Sequence, residues 1–279
     1  MKIRKIISLI CAAAMLLSVS ACKTEEDVSV HEVIRDFDVS VLKAGQADAI
    51  ILKTQNHCAI IDCGEEDDGD EVLEHLSENG IEKVDYLFIT HFDKDHVGGA
   101  AEVLENVFVD NIITPDYEGT NGEYKKFIQA VNEKNYTPIK LTTEMSFALD
   151  DVEFNVYPPL KSAYKEGDND FSLAISAVHG ENSFLFAGDA QEVRLSEILA
   201  QTNTEYDFLK VPHHGRIEKN SNTFFDRINP KYAVITCSDK NPADEKVLGL
   251  LSAIWCKTYL TSDGDVNIKS DGKEITVSQ

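Results

Sequence analysis

Val84-Asp85-Tyr86-Leu87-Phe88-Ile89-Thr90-His91-Phe92-Asp93-Lys94-Asp95-His96-Val97-Gly98-Gly99 is the stretch that decides how this 279-residue chain reads. Its first part, Val84–Ile89, is a mostly apolar run of strand length, the mark of a buried β-strand. Its second part places His91, Asp93, Asp95 and His96 within six positions and ends in a Gly pair. Groups of that kind, in one tight loop at a strand end, cannot all be buried without a compensating charge. A divalent metal, or a pair of metals, supplies it. Asp and His serving only as turn and cap residues would leave that density of ligand atoms without a purpose.

Three further clusters repeat the theme. Asp62-Cys63-Gly64 follows the apolar Ala59-Ile60-Ile61, and Gly188-Asp189 follows Leu185-Phe186-Ala187. Leu209-Lys210-Val211-Pro212-His213-His214-Gly215 ends a strand in two imidazoles. An Asp after a strand is ordinarily a turn residue. Strand ends on one edge of a sheet converge, however, so these groups are expected to meet the 91–96 loop. A metal held there lowers the pKa of its water from 15.7 to about 7, and two metals ~3.5–4 Å apart can clamp a nucleophile and a phosphoryl or carbonyl oxygen. Neighbouring imidazoles and carboxylates would move the leaving-group proton.

The strand and helix pattern extends outward from this loop. Strands are expected at 37–42, 49–53, 59–61, 84–89 and 111–114, with helices at 70–79, from about 99, and at 122–133. The second half repeats the rhythm, with strands at 152–157, 172–178, 183–186, 207–211 and 232–236 and helices at 191–199, 222–227 and 245–252. Strands near 258–260, 265–268 and 274–277 close the chain. His179-Gly180-Glu181-Asn182 reads as a hairpin turn. Two halves, each of strands then helices, imply two sheets packed face to face with helices outside.

The amino terminus has a separate character. Lys2, Arg4 and Lys5 flank an apolar stretch, Ile6–Val19, followed by Val19-Ser20-Ala21-Cys22. This is a signal-peptide layout, too short to span a membrane comfortably. Its end resembles the lipobox of bacterial lipoproteins, which implies cleavage before Cys22, lipid on that residue, and a protein exported and anchored to the outer face of the cell membrane. The expected division is a signal over 1–21, a polar tether over 22–35 and one folded domain over 36–279. Losing three basic residues of 26 would leave 23 against 49 acidic ones, so the net charge of −23 becomes −26. That surface argues against a broad electrostatic grip on nucleic acid, although bound metal would reverse the field locally. Cys58, Cys63, Cys237 and Cys256 have no zinc-finger spacing and read as buried thiols, with a disulfide permitted by export. The acidic run Glu65–Asp70 reads as a solvated loop and Lys94 as a solvated side chain, with steering of an anionic substrate as its alternative role.

Thr90-His91-x-Asp93-x-Asp95-His96-x-Gly98-Gly99 resembles the signature of the metallo-β-lactamase superfamily, in the form with Asp at the second His position. Asp62-x-Gly64, Gly188-Asp189 and His213-His214-Gly215 fall in the order of that superfamily's other motifs. The hydrolase domain of ComEC-type competence proteins is the nearest pattern. Ala44-Gly45-Gln46-Ala47-Asp48-Ala49, Asn169-Asp170-Phe171-Ser172-Leu173 and the Asp263-Gly264 and Asp271-Gly272 turns also fit it, so the resemblance runs from about residue 37 to 279. It implies a metallo-β-lactamase-like α/β fold, an αββα sandwich. It also implies one or two divalent ions, zinc or manganese. His91 and Asp93 would serve one position, and Asp95 and His96 the other, with Asp95 also accepting a proton. Asp189 would bridge, one of His213 and His214 would complete the second position, and Asp62 would orient a ligand imidazole.

The chain departs from the pattern in three places. The His expected before the bridging Asp is not evident: Asn169 falls near its place, and His179 sits in a turn. Asn241-Pro242 stands where a His-Pro is usual, and Ala47 where Gly is usual. Fewer imidazoles and more oxygens shift the preference from zinc toward manganese. The expected function is metal-dependent hydrolysis of a phosphodiester, DNA or a smaller ester, with no protein partner. Hydrolysis of a lactone, an amide or a cell-wall phosphoester, and non-catalytic binding at the surface, are the alternatives.

Overall fold

The computed structural model describes residues 35–279 except 166 and 203. The signal, Cys22 and all but the last residue of the tether lie outside the described residues.

Alternation decides the first strand. In β1 (Phe37–Val41) Phe37, Val39 and Val41 are buried while Asp38 and Ser40 are partly exposed, the period of a sheet with one face on a core. β2 (Ala49–Lys53) and β3 (Cys58–Cys63) are buried on both faces, as suits strands covered by a layer on each side. After α1 (Gly69–Glu78), β4 (Lys83–Phe88) joins parallel to β3. Two short helices, α2 (Lys94–Val97) and α3 (Ala100–Asn106), lead to β5 (Phe108–Pro115). α4 (Gly122–Glu133) starts at Asn121, whose side chain accepts the Tyr124 N–H, an N-cap that satisfies one orphan donor of the first turn. β6 (Ile139–Leu141) then pairs with β5.

A meander of β7 (Met145–Leu149), β8 (Val152–Tyr157), β9 (Ala174–His179) and β10 (Asn182–Phe186) begins a second sheet. It grows by parallel crossovers through α5 (Glu192–Thr202), β11 (Phe208–Lys210), α6 (Ser221–Ile228), β12 (Tyr232–Ile235), α7 (Glu245–Ala253) and β13 (Lys257–Leu260). The closing hairpin, β14 (Val266–Ser270) and β15 (Ile275–Ser278), returns to the first sheet. The orders are β15-β14-β1-β2-β3-β4-β5-β6 and β13-β12-β11-β10-β9-β8-β7.

Three apolar layers result. The central one joins the sheets, with Phe37 packed edge-on against Phe184 and Phe154 at 5.1 and 6.2 Å between centroids, a favoured geometry for aromatic pairs. The outer two lie between each sheet and its helices, around Phe127 and Val72 on one side and Phe224 and Val247 on the other. This is the expected αββα sandwich.

Several details differ from the sequence reading. The final hairpin, whose sheet the sequence left open, pairs with β1, Phe37 opposite Ser270. β6, only three residues long, and β7, in which Met145, Phe147 and Leu149 alternate, are strands the sequence reading did not expect. The ligand loop is partly helical, since Asp95 and His96 lie on α2. The acidic run is no loop: it forms a 3-10 turn, Glu66–Asp68, running into α1. Cys58, Cys63, Cys237 and Cys256 are all buried and free. Among the described residues no helix is long and apolar enough to cross a membrane.

Candidate metal centre

The carboxyl ends of β3 and β4 in one sheet meet those of β10, β11 and β12 in the other. The convergence is therefore between two sheets, not along the edge of one. The Gly pair makes it possible: a Cβ on Gly99 would lie 2.4 Å from the Cys63 carbonyl oxygen, and one on Gly98 2.5 Å from the Lys94 oxygen. Only glycine lets α2 press this closely onto the end of β3. Asp62, His213 and His214 each hold a positive φ, 58°, 49° and 51°, a conformation non-glycine residues adopt at a cost and one that gathers at functional sites.

His91, His96 and Asp189 each offer a ligand atom within 4.8 Å of one another, and so do Asp95, His96 and His214. His96 thus belongs to both groups. Asp189 spans them, its Oδ2 3.3 Å from His96 Nε2 and 2.9 Å from His214 Nε2. Asp95 Oδ2 lies 3.5 Å from His214 Nε2 and accepts the Gln46 amide at 3.3 Å. Asp93 stands at the rim, 42 % exposed, with Oδ2 3.6 Å from His91 Nε2.

Asp62 is the organiser beneath. Fully buried, it accepts the Thr90 N–H at 2.7 Å, the Thr90 hydroxyl at 2.6 Å and His96 Nδ1 at 2.8 Å. A carboxylate only accepts, so His96 carries its proton on Nδ1 and turns Nε2 to the centre. Thr90 has given its one proton to Asp62 and so accepts from His91 Nδ1, 3.1 Å away. His91 is therefore held in the same tautomer.

The pair His213-His214 divides. His214 enters the cluster, while His213 faces its flank, with Nε2 3.2 Å from the Asn169 amide nitrogen and Nδ1 3.3 Å from Glu218 Oε1. Asn169 thus lies against His213. His179 is remote, bonded to Ser270 at 2.7 Å, and Asn241 closes a turn with Ser238. Lys94 is exposed and paired with Glu65 at 2.9 Å.

The charges explain the perturbed protonation. Burial raises the Asp189 carboxyl, but His214 and His96 outweigh it and hold it well below the ordinary carboxylate range. Burial likewise raises Asp95, and His214 and His96 reverse it. Burial lowers His96, yet Asp189 and Asp62 lift it well above its usual value. His214 is pushed up to about 9, burial being overcome by Asp189, Asp95 and Asp48.

A divalent cation fits this donor set. Nε2 of His91, His96 and His214, and Oδ1 of Asp189, are buried without a hydrogen-bond partner. Two of these nitrogens lie within ion-pair distance of Asp189 but are not aligned as hydrogen bonds. Buried polar atoms are normally satisfied; several lone pairs aimed at one space, each backed by a proton fixed on the far side of its ring, suit ligands awaiting a shared ion.

The family model described as the metallo-beta-lactamase superfamily matches residues 42–238. The chain belongs to that superfamily. Its members are generally metal-dependent hydrolases and usually bind divalent metals, commonly zinc. The chain is 28 % identical over 188 residues to ComE operon protein 3 of Bacillus subtilis, covering 66 % of this chain and 24 % of that protein. It is 27 % identical over 211 residues to recombination protein 2 of Haemophilus influenzae, covering 74 % and 25 %. The chain thus spans about a quarter of the length of these relatives, and the competence-type resemblance is borne out at that level. The metallo-beta-lactamase fold protein YhfI from Bacillus subtilis superposes with a TM-score of 0.57 at 8 % identity, covering 87 % of this chain and all of that one, a likeness of fold.

Sequence reasoning gave no role to four buried residues around the centre: Thr90, Asp48, Thr236 and Lys210. The available signal was a lysine inside the apolar strand Phe208-Leu209-Lys210-Val211, a charge that needs a partner when buried.

Proposed function

We propose that this metallo-β-lactamase superfamily protein hydrolyses phosphodiesters, DNA or a smaller ester, using one or two divalent ions, zinc or manganese. We further propose that it is exported and held by lipid on Cys22 at the outer face of the cell membrane, with no protein partner. The observation that carries the catalytic reading is the set of unpartnered Nε2 atoms on His91, His96 and His214 facing Asp189. Asp93 stands beside His91 on one side and Asp95 beside His214 on the other, which would divide the ligands between two positions spanned by Asp189. The relatives named for the ComE operon and for recombination support a nucleic-acid substrate.

When bound, a divalent ion supplies Lewis acidity and lowers the pKa of the water it holds. The protein supplies the rest. Asp62 and Thr90 fix the imidazoles, so no reorganisation is needed as charge develops. Asp95, kept ionised by His214 and His96 and 15 % exposed, would accept the proton of the attacking water.

A second reading, hydrolysis of a lactone, an amide or a cell-wall phosphoester, is favoured by the net charge of −23, which repels polyanions. Both are tested with the purified full-length chain loaded with Mn²⁺ or Zn²⁺, on single- and double-stranded DNA and a panel of small phosphodiesters, lactones and lactams. Phosphodiester cleavage abolished by Asp95→Ala is expected. Turnover of lactones or lactams alone would transfer the site to the second reading, and no retained metal would end the hydrolytic one.

A further inference from the structure

Lys210 and Asp48 form a buried ion pair directly behind the centre, each side chain 1 % exposed, with Nζ and Oδ2 2.7 Å apart. Asp48 comes from the loop before β2 and Lys210 from the end of β11, so the pair ties one sheet to the other. A buried ion pair is weak evidence of stabilisation, since desolvation can exceed the attraction. Its surroundings suggest another use.

Thr236, at the end of β12, is the hinge of the arrangement. Its hydroxyl donates to Asp48 Oδ1 at 2.6 Å and receives Lys210 Nζ at 3.2 Å. It also lies 3.0 Å from His214 Nδ1. A threonine hydroxyl has one proton, and here it is committed to Asp48. Thr236 therefore accepts from His214, the proton of that ring stays on Nδ1, and Nε2 keeps its lone pair for the centre. Lys210 Nζ also donates to the Val211 carbonyl at 3.1 Å. The Asp48 carboxylate lies 3.6 Å from His214 Nδ1 and 3.9 Å from His96 Nδ1. Unpaired at that distance it would compete for both rings; paired with Lys210 it adds no net charge beneath the metal ligands. The backbone adds to the same effect, because the Asp48 N–H donates to the Asp95 carbonyl at 3.0 Å.

We propose that Lys210, Asp48 and Thr236 are positioning residues that fix the tautomer of His214, so that metal affinity depends on a pair of residues from opposite sheets that touch neither metal nor substrate. This deepens the metal-dependent reading above and rests on it. It mirrors the Asp62–Thr90 pair under His91, with one difference: Asp48 carries its own counter-charge.

The test is the double variant Asp48→Leu with Lys210→Met, which removes both charges at similar volume, alongside Thr236→Val, which leaves the ion pair intact. Two readouts are taken on the full-length chain. Calorimetric titration with Mn²⁺ or Zn²⁺ measures metal affinity, and ¹⁵N–¹H correlation spectra of the imidazoles, on metal-free protein under alkaline conditions that leave them neutral, report which nitrogen carries the proton. Both variants are expected to bind metal about 10–100-fold more weakly, the usual cost of losing an outer-shell partner. Their spectra should move His214 away from the pure Nδ1–H form while His91 and His96 stay put. Wild-type affinity together with an unchanged His214 spectrum in Thr236→Val would overturn the proposal, and so would the same result in a folded double variant. Should the double variant fail to fold, Thr236→Val decides alone. Failure of the wild type to bind any metal would refute the hydrolytic reading, whereas the tautomer spectra would still judge the positioning role.

Discussion

Raising the pH of the metal-free protein should destabilise it in a window set by His214. The ring ordinarily loses its proton near 6.5, and in the folded protein it holds it to about 9 because Asp189, Asp95 and Asp48 outweigh its burial. Below about 6.5 both folded and unfolded chains are protonated there, and the full stabilisation is present. As pH rises toward 9 the unfolded chain releases the proton first, so the contribution drains away and is gone once the folded ring also loses it. At about 1.4 kcal/mol for each tenfold step, the interval from 6.5 to about 9 corresponds to about 3 kcal/mol. His96, lifted by Asp189 and Asp62, acts in the same direction. Urea unfolding of the full-length chain in chelator, followed by circular dichroism at several pH values between about 6 and 9, measures it. A bound metal ion takes the place of those protons, so the metal-saturated protein should show little of this slope, and metal binding below pH 9 should release protons. Equal slopes with and without metal would refute the electrostatic account of the centre.

Two further predictions concern the histidine pair and the core. His214→Ala should lower metal affinity by more than the about 10–100-fold expected for an outer partner, while His213→Ala, which removes only a contact to Asn169 and Glu218, should leave it at the wild-type value; calorimetric titration separates them. Phe184→Ala, at a fully buried ring between Phe37 and Phe208, should cost about 3–5 kcal/mol in chemical denaturation, and a loss below about 1 kcal/mol would mean the sheets do not interlock there.

Much of this architecture was legible because its signals are local. The apolar run before His91, the Asp62 and Asp189 strand ends and the His213-His214 pair each sit within a few residues of their own evidence, and the structure brings them together. Where the reading failed, the information was long-range. Nothing near Val266 says that its strand will lie beside β1, because that pairing is chosen by whichever edge remains open. Nothing near His214 says that it, and not His213, turns inward; the positive φ of both residues comes from the chain around them. Asp48 and Lys210 were visible as residues, but a buried charge reveals its purpose only through the partner that neutralises it. β7 escaped notice although Met145, Phe147 and Leu149 alternate along it; it is a short edge strand of five residues on which Met145 and Phe147 stay half-buried.

The return of the last hairpin to β1 has a consequence for how this protein is made. Phe37 is among the first described residues to leave the ribosome, and its partner Ser270 is among the last. Until then β1 has β2 on one side and an open row of backbone donors and acceptors on the other, a surface that invites pairing with another nascent chain. Completion of the first sheet, and with it the ground on which Asp48 and the 91–96 segment rest, must wait until Val266–Ser270 has been made. Synthesis that stopped before Val266 would thus leave every candidate metal ligand present in the polypeptide, yet leave their scaffold unclosed.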